Sequence, residues 1–195
     1  MRSGVLVLAI LLVCSGRASA EWQLQPFAAL SFGGHTSLLD LENAQDDTKF
    51  AYGVRGVLLG EVFGIDADVG YTPGFFESGN LNRVLSSSVT TVTGNVVIAL
   101  PRHIAQYSLR PYAVAGGGFM RAASKDALHV FDVSETMAAI DFGGGVTGFV
   151  NNRVGLDWQV RRFSSIRGKT VFDGNNFAPA QLSFWRVSMA LALRY

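Results

Sequence analysis

Beyond its first twenty residues this chain holds no run of 18 or more consecutive apolar residues, so no segment reads as a membrane-crossing helix. Apolar residues return instead at every second position, the period of a strand with two different faces. The clearest stretch runs from 63 to 71. Phe63, Ile65, Ala67, Val69 and Tyr71 share one face, and Gly64, Asp66, Asp68 and Gly70 share the other. A slip of one residue would exchange both aspartates with the apolar set, so the pattern fixes the strand's orientation.

Seven further segments read the same way. Over 22–34, Trp22, Leu24, Ala28, Leu30 and Phe32 oppose Gln23, Gln25 and Ser31. Over 50–60, Phe50, Tyr52, Val54 and Leu58 oppose Arg55, and over 87–100, Val92, Val96, Ile98 and Leu100 oppose Thr91, Thr93 and Asn95. Segments 110–121 and 136–149 are glycine-rich, with Tyr112, Val114 and Met120, then Ile140, Phe142 and Val146, as their apolar faces. Over 154–163, Val154, Leu156, Trp158 and Val160 alternate with Asp157, Gln159 and Arg161. Over 183–195, Trp185, Val187, Met189, Leu191, Leu193 and Tyr195 alternate with Arg186, Ser188 and Arg194.

The intervening connections fall in turn as long and short. Segments 60–62, 101–108 and 150–153 are short, whereas 34–48, 72–86, 122–135 and 164–182 are long. That alternation is expected of an up-and-down barrel in a membrane, with tight turns at one end and long loops at the other. The expectation is an all-β, eight-stranded, antiparallel transmembrane β-barrel. Eight strands of about ten membrane residues use about 80 residues and leave the rest for rims and loops; sixteen strands would leave no loops. A bore of eight strands is one that side chains can fill.

A soluble barrel would alternate too, with its apolar set inside. The distribution of charge and aromatics points the other way. Only 16% of residues are charged, against about 25% in ordinary soluble domains. Arg55, Arg161, Arg186 and Arg194 share the non-apolar face with Asp66, Asp68, Asp141 and Asp157, so an inward network of equal positive and negative charge is expected. Lys49, Lys125 and Lys169 all read as loop or rim residues. Trp22, Phe63 and Tyr195 fall at the short-turn ends of strands, and Tyr52, Tyr71 and Trp185 towards the long-loop ends, as interfacial girdles require.

Residues 1–20 have the pattern of an export signal. Arg2 is followed by apolar residues from Val5 to Val13 and by Ala18-Ser19-Ala20, a small-residue cleavage site before Glu21. The expected domains are therefore a cleaved signal, 1–20, and a barrel, 21–195. Cys14 lies in the signal, where bulky Val13 before it argues against a lipid attachment site. Cleavage leaves no cysteine, and loss of Arg2 and Arg17 takes the basic count from 16 to 14 against 15 acids, a net charge of −1. With no basic excess, nucleic acid is not an expected partner.

The final strand, Phe184-Trp185-Arg186-Val187-Ser188-Met189-Ala190-Leu191-Ala192-Leu193-Arg194-Tyr195, resembles the sorting signal of bacterial outer-membrane proteins. Trp185, Val187, Met189, Leu191, Leu193 and the terminal aromatic Tyr195 carry the likeness. Together with the export signal, the Gly143-Gly144-Gly145 strand, the Leu109-Arg110-Pro111-Tyr112 segment and the Tyr71-Thr72-Pro73-Gly74-Phe75-Phe76 segment, the chain resembles the small OmpA/OmpX-like outer-membrane β-barrels over nearly its full length. The resemblance implies an outer-membrane location and insertion by the β-barrel assembly machinery with periplasmic chaperones. It also implies contact with outer-membrane lipid and lipopolysaccharide. It implies no single activity, because function resides in sites rather than folds.

Other motifs point weakly to chemistry. Gly143-Gly144-Gly145-Val146-Thr147-Gly148 satisfies G-x-G-x-x-G, but a turn into another alternating strand follows it, not the helix that phosphate binding requires. His35-Thr36-Ser37, with Asp40 or Glu42 to orient the histidine, has the residue types of a nucleophile–base–acid set, yet reads as a polar loop. His103 and His129 are isolated, and no metal-ligand spacing is present. Asp66 and Asp68 read as members of the inward network before they read as paired catalytic acids. Phe75 and Phe76 are candidates for a loop contact with a partner. The reading is thus a non-enzymatic outer-membrane protein with no cofactor or metal, a filled lumen and outward loops. The alternative is a narrow channel or carrier for small hydrophobic molecules, with a lipid A-modifying enzyme behind it.

Overall fold

The computed structural model describes residues 21–36, 48–75, 84–101, 109–126, 133–166 and 182–195. Eight strands follow one another in chain order: β1 (Glu21–Thr36), β2 (Lys49–Leu59), β3 (Phe63–Pro73), β4 (Val84–Ala99), β5 (Leu109–Asp126), β6 (Val133–Phe149), β7 (Val154–Ser165) and β8 (Leu182–Arg194). Each pairs antiparallel with its sequence neighbours, and β1 pairs with β8 to close the barrel. No helix among the described residues is long and apolar enough to cross a membrane.

The register sets the barrel's dimensions. A row of paired residues starting at Phe32 passes through Trp185, Arg162, Phe142, Ala115, Val96, Ile65 and Leu58, and returns to β1 at Trp22. The chain has shifted by 32 − 22 = 10 residues in one circuit. Eight strands with that shear tilt by about 40° and enclose a backbone radius of about 8 Å, a bore that side chains fill. At about 3.3 Å rise per residue, each strand step along the row drops about 3 Å towards the short-turn end.

That geometry aligns the outward aromatics into two belts. Trp22, Phe63 and Tyr195 sit at one level; Phe32, Phe50, Tyr71, Phe119 and Trp185 lie about 20–25 Å above it. All of them have exposed or half-exposed side chains. The separation matches the apolar band of an outer-membrane barrel. Between the belts the exposed set is mainly aliphatic, with Ile65, Val92, Val96 and Val160 among it, and includes Phe142 and Trp158.

Three expectations change. In β5 it is Val114 and Met120 that are buried, with Tyr112 turned inward beside them, while Leu109 and Phe119 are exposed. The lipid face of this strand is Leu109, Pro111, Ala113, Ala115, Gly117 and Phe119, one residue out of phase with the sequence reading. The reason is that β5 carries apolar residues on both faces, so alternation alone could not orient it. Second, β5 and β6 continue to Asp126 and back from Val133, so Lys125 lies in a strand, and Lys49 opens β2. The connection 127–132 is consequently shorter than 100–108, and long and short do not alternate strictly. Third, Arg194 lies at the rim, as described below. Residues 1–20, Ser37, Asp40, Glu42, Phe76, His103, His129 and Lys169 lie outside the described residues.

Arg110, buried at the short-turn end, donates from Nε to Leu100 O (2.9 Å) and from Nη2 to Gly60 O (2.8 Å) and Glu61 O (2.6 Å). One side chain thus satisfies three carbonyls of two neighbouring turns and ties them together.

Candidate functional site

The lumen is layered. In its middle, seven charged side chains on five strands form one connected lattice: Arg55 on β2, Asp66 and Asp68 on β3, Asp141 on β6, Asp157 and Arg161 on β7, and Arg186 on β8. All are at most 5% exposed. They point inward because each shares its strand's parity with the glycines and small polar residues rather than with the aliphatic set.

Five ion pairs join them into two groups, and Gln159 and Tyr112 link the groups, Gln159 donating to the Tyr112 hydroxyl (3.0 Å). Arg55 meets Asp68 through Nε (3.3 Å) and Asp157 through Nη1 (3.0 Å). Arg161 bridges Asp66 and Asp141, the latter at 3.0 Å. Arg186 Nη2 reaches Asp68 Oδ1 at 2.6 Å. The pairs Arg55–Asp157, Arg161–Asp66 and Arg186–Asp68 join β2 or β3 to β7 or β8, so they cross the bore rather than run along its wall. Neutral groups complete the shell. Gln25 accepts from Arg55 (2.9 Å), Gln159 from Arg161 (2.7 Å) and Thr91 from Arg186 (3.3 Å). Asn95 Nδ2 donates to Asp66 (2.5 Å), and Asp157 accepts from Thr147 (2.7 Å) and Tyr112 (2.9 Å). Buried charge is tolerable only with this degree of pairing. Asp141 is the least supported member, since its Oδ1 has no hydrogen-bond partner among the described residues.

Aromatic rings support the same cations. Arg186 lies over Phe27 (4.8 Å to the ring centre) and Phe163 (4.5 Å), and Arg55 lies over Phe27 at 5.5 Å. Two glycines make room. A Cβ at Gly145 would sit 2.6 Å from the Tyr112 hydroxyl, and one at Gly70 would collide with Arg186 Nη1. Gly145 belongs to the G-x-G-x-x-G run, which lies within β6. Its glycine admits a tyrosine, not a phosphate.

Arg194 is not part of the lattice. Its position opposite Gln23 near the end of β8 leaves the side chain 24% exposed, where it pairs with Glu21 (3.2 Å) and lies over Phe149 (4.5 Å). Three arginines therefore face four aspartates in this lattice, and the expected equality of charge does not hold within it. A ladder of amides still links the two regions: Gln25 donates to Gln23 (2.7 Å), and Gln23 to Glu21 (3.0 Å).

Apolar layers lie on either side. Towards the long-connection end, Val89, Met120, Met137, Phe163, Leu182 and Phe184 form a buried cluster. Phe75 packs on it edge-on to Phe184 at 5.2 Å, so this candidate contact residue covers the lumen's apolar layer. Towards the short-turn end, Val57, Leu59, Val97, Ala99 and Val114 form a second cluster. Between it and the lattice is a small cavity lined by Gln25, Val57, Asp66, Tyr112 and Thr147, with room for about one water.

The sorting-signal residues Trp185, Val187, Met189, Leu191 and Leu193 lie on the lipid face of β8, and Tyr195 follows it, 84% exposed. Of the His35-Thr36-Ser37 segment, His35 and Thr36 end β1 above a bulge in its pairing with β8, at which Gly33 takes a φ of 62°. No cluster of three or more metal-ligating side chains occurs among the described residues. Tyr112, Asn95, Gln25, Phe27 and Phe163 are lattice residues that the sequence reading did not single out. Phe27 and Phe163 had a visible signal, because each shares the polar parity of its own strand.

The fold has solved counterparts at low identity. OprG of Pseudomonas aeruginosa is 11% identical with a TM-score of 0.62, over 92% of this chain and 98% of that one. Neisserial surface protein A is 15% identical with a TM-score of 0.59, over 87% and 95%. The attachment invasion locus protein Ail of Yersinia pestis, solved with the heparin analogue sucrose octasulfate, is 11% identical with a TM-score of 0.53, over 89% and 99%. Among curated proteins none matches the sequence. The family described as outer membrane protein beta-barrel domain matches residues 5–184. The closed eight-stranded barrel and this match together place the chain in that family of bacterial outer-membrane β-barrels.

Proposed function

We propose that this chain is a non-enzymatic envelope protein, a sealed barrel with a structural or surface-interaction role carried by the long connections at its outer end. The observation that carries the reading is the set of ion pairs crossing the bore, Arg55–Asp157, Arg161–Asp66 and Arg186–Asp68. A solute passing through would have to separate them in a low-dielectric interior, where an unpaired charge is costly. The apolar layers above and below favour a second reading, passage of small hydrophobic molecules. The lattice between them opposes it.

The test is conductance of the purified protein in planar bilayers. The expected record is silent; stable, selective openings overturn the sealed-barrel reading. Expression in a bacterial host is expected to leave lipid A chemically unchanged, and a modified lipid A overturns the non-enzymatic part. Export supports the same picture. Removal of residues 1–20 after Ala20 would start the mature chain at Glu21, where β1 begins, and an intact mass matching that terminus is expected. Delivery by periplasmic chaperones and insertion by the assembly machinery would use the outward face of β8.

A further inference from the structure

The lipid-facing surface carries a charge that the barrel itself does not explain. Among the strand residues whose side chains are described, Arg121 and Arg162 are charged and lie on the outward face. Arg121 lies high on β5, opposite Thr90 and Thr136. Arg162 lies lower, on the row that runs from Phe32 through Trp185, two strand steps and about 6 Å below Phe32. That level is just inside the outer aromatic belt. So close to the interface an arginine is tolerated when its guanidinium reaches the headgroup layer, and no carboxylate among the described residues pairs with it.

The surroundings of Arg162 are built for an anion. Its guanidinium lies over the Trp185 ring, 5.5 Å from the centroid, a cation–π contact between neighbouring strands. One position outward on the same faces, Ser164 and Ser183 are direct cross-strand partners on β7 and β8. Both are half-buried on the lipid side. Directly opposed residues have Cβ atoms about 5 Å apart, so the two serines stand side by side one position outward of the Arg162–Trp185 pair. A fork of N–H donors with two hydroxyls beside it, on an aromatic floor at the membrane interface, matches a phosphate monoester.

We propose that Arg162, Ser164 and Ser183 bind the phosphate of a phosphorylated glycolipid in the outer leaflet, with Trp185 as the platform. The source is a lipid headgroup rather than a free ion, because the site opens sideways into the bilayer at headgroup depth. Bound phosphate supplies the counter-charge that no carboxylate among the described residues gives Arg162.

The test compares the full barrel in nanodiscs of phosphatidylcholine with and without diphosphoryl lipid A, read as the midpoint of the heat-induced gel shift. Lipid A is expected to raise the wild-type midpoint by about 3 °C or more. Arg162→Gln is expected to show no rise on adding lipid A. Arg162→Lys should keep part of the rise, and Ser164→Ala with Ser183→Ala should lose part of it. These two variants carry the test should Arg162→Gln not fold. An equal rise in wild type and every variant, or none in wild type, overturns the proposal. So does an equal rise with inorganic phosphate or with dephosphorylated lipid A, which would remove the lipid phosphate as the ligand.

Discussion

The middle and the outer layer of the lumen exclude water by opposite means. The outer layer, from Met120 to Phe184, is aliphatic and aromatic, and its contacts are non-directional. The middle layer is a lattice in which every arginine holds at least one aspartate and each bond depends on a donor facing an acceptor. The first kind of packing tolerates adjustment. The second fails when one member is removed, because its partners stay buried and charged. The middle layer is therefore the more specific and the more fragile.

The sharpest way to break that contrast is Asp68→Ala. It leaves Arg55 and Arg186 short of a counter-charge and is expected to destabilise by about 3–5 kcal/mol, read by urea titration of the gel-shifted form. Replacing Asp68, Arg55, Arg186 and Asp157 together by apolar residues of similar volume removes a neutral set and should recover most of that loss. A quadruple variant as unstable as Asp68→Ala alone would show that the lattice is valued for more than mutual neutralisation. Next, Phe184→Ala is expected to cost about 3 kcal/mol, without creating ion-selective openings in bilayers. Arg161→Ala should lose comparable stability and admit brief openings, since it removes a link across the bore. Tyr112→Phe deletes the hydroxyl that supports Asp157 and should cost about 1–2 kcal/mol. Arg194→Ala, at the hydrated rim, should cost less than about 1 kcal/mol, detectable only by comparing midpoints at low and high salt.

How much was legible in the sequence differs from strand to strand for a physical reason. In β3, Asp66 and Asp68 cannot face lipid, so period two alone orients every side chain. In β5 the segment from Tyr112 to Met120 offers small and apolar residues in both parities, and a tyrosine can serve either face. Only its neighbours decide: Ala99 and Gly145 across the pairing leave room on the inner side, and Asp157 within reach of the hydroxyl draws Tyr112 inward. Parity identified the inward charges without saying which would meet. That depends on the ten-residue shear, a property of closure that no single strand carries. Arg194 has the right parity and the wrong height, and height too follows from the register.

The crossing of the lattice has a consequence for the order of assembly. Arg186 and Asp68 are 118 residues apart in the chain, Arg55 and Asp157 are 102, and Arg161 and Asp66 are 95. The first three strands alone bring one arginine to two aspartates, and the last strands hold the cations that complete them. A half-formed sheet therefore has only the adjacent-strand pairs Arg55–Asp68 and Arg161–Asp141, and its remaining inward charges stay hydrated until β1 meets β8. Water leaves the bore as a late step, and the same residues that close the lumen act as a latch recording that the circle has been completed.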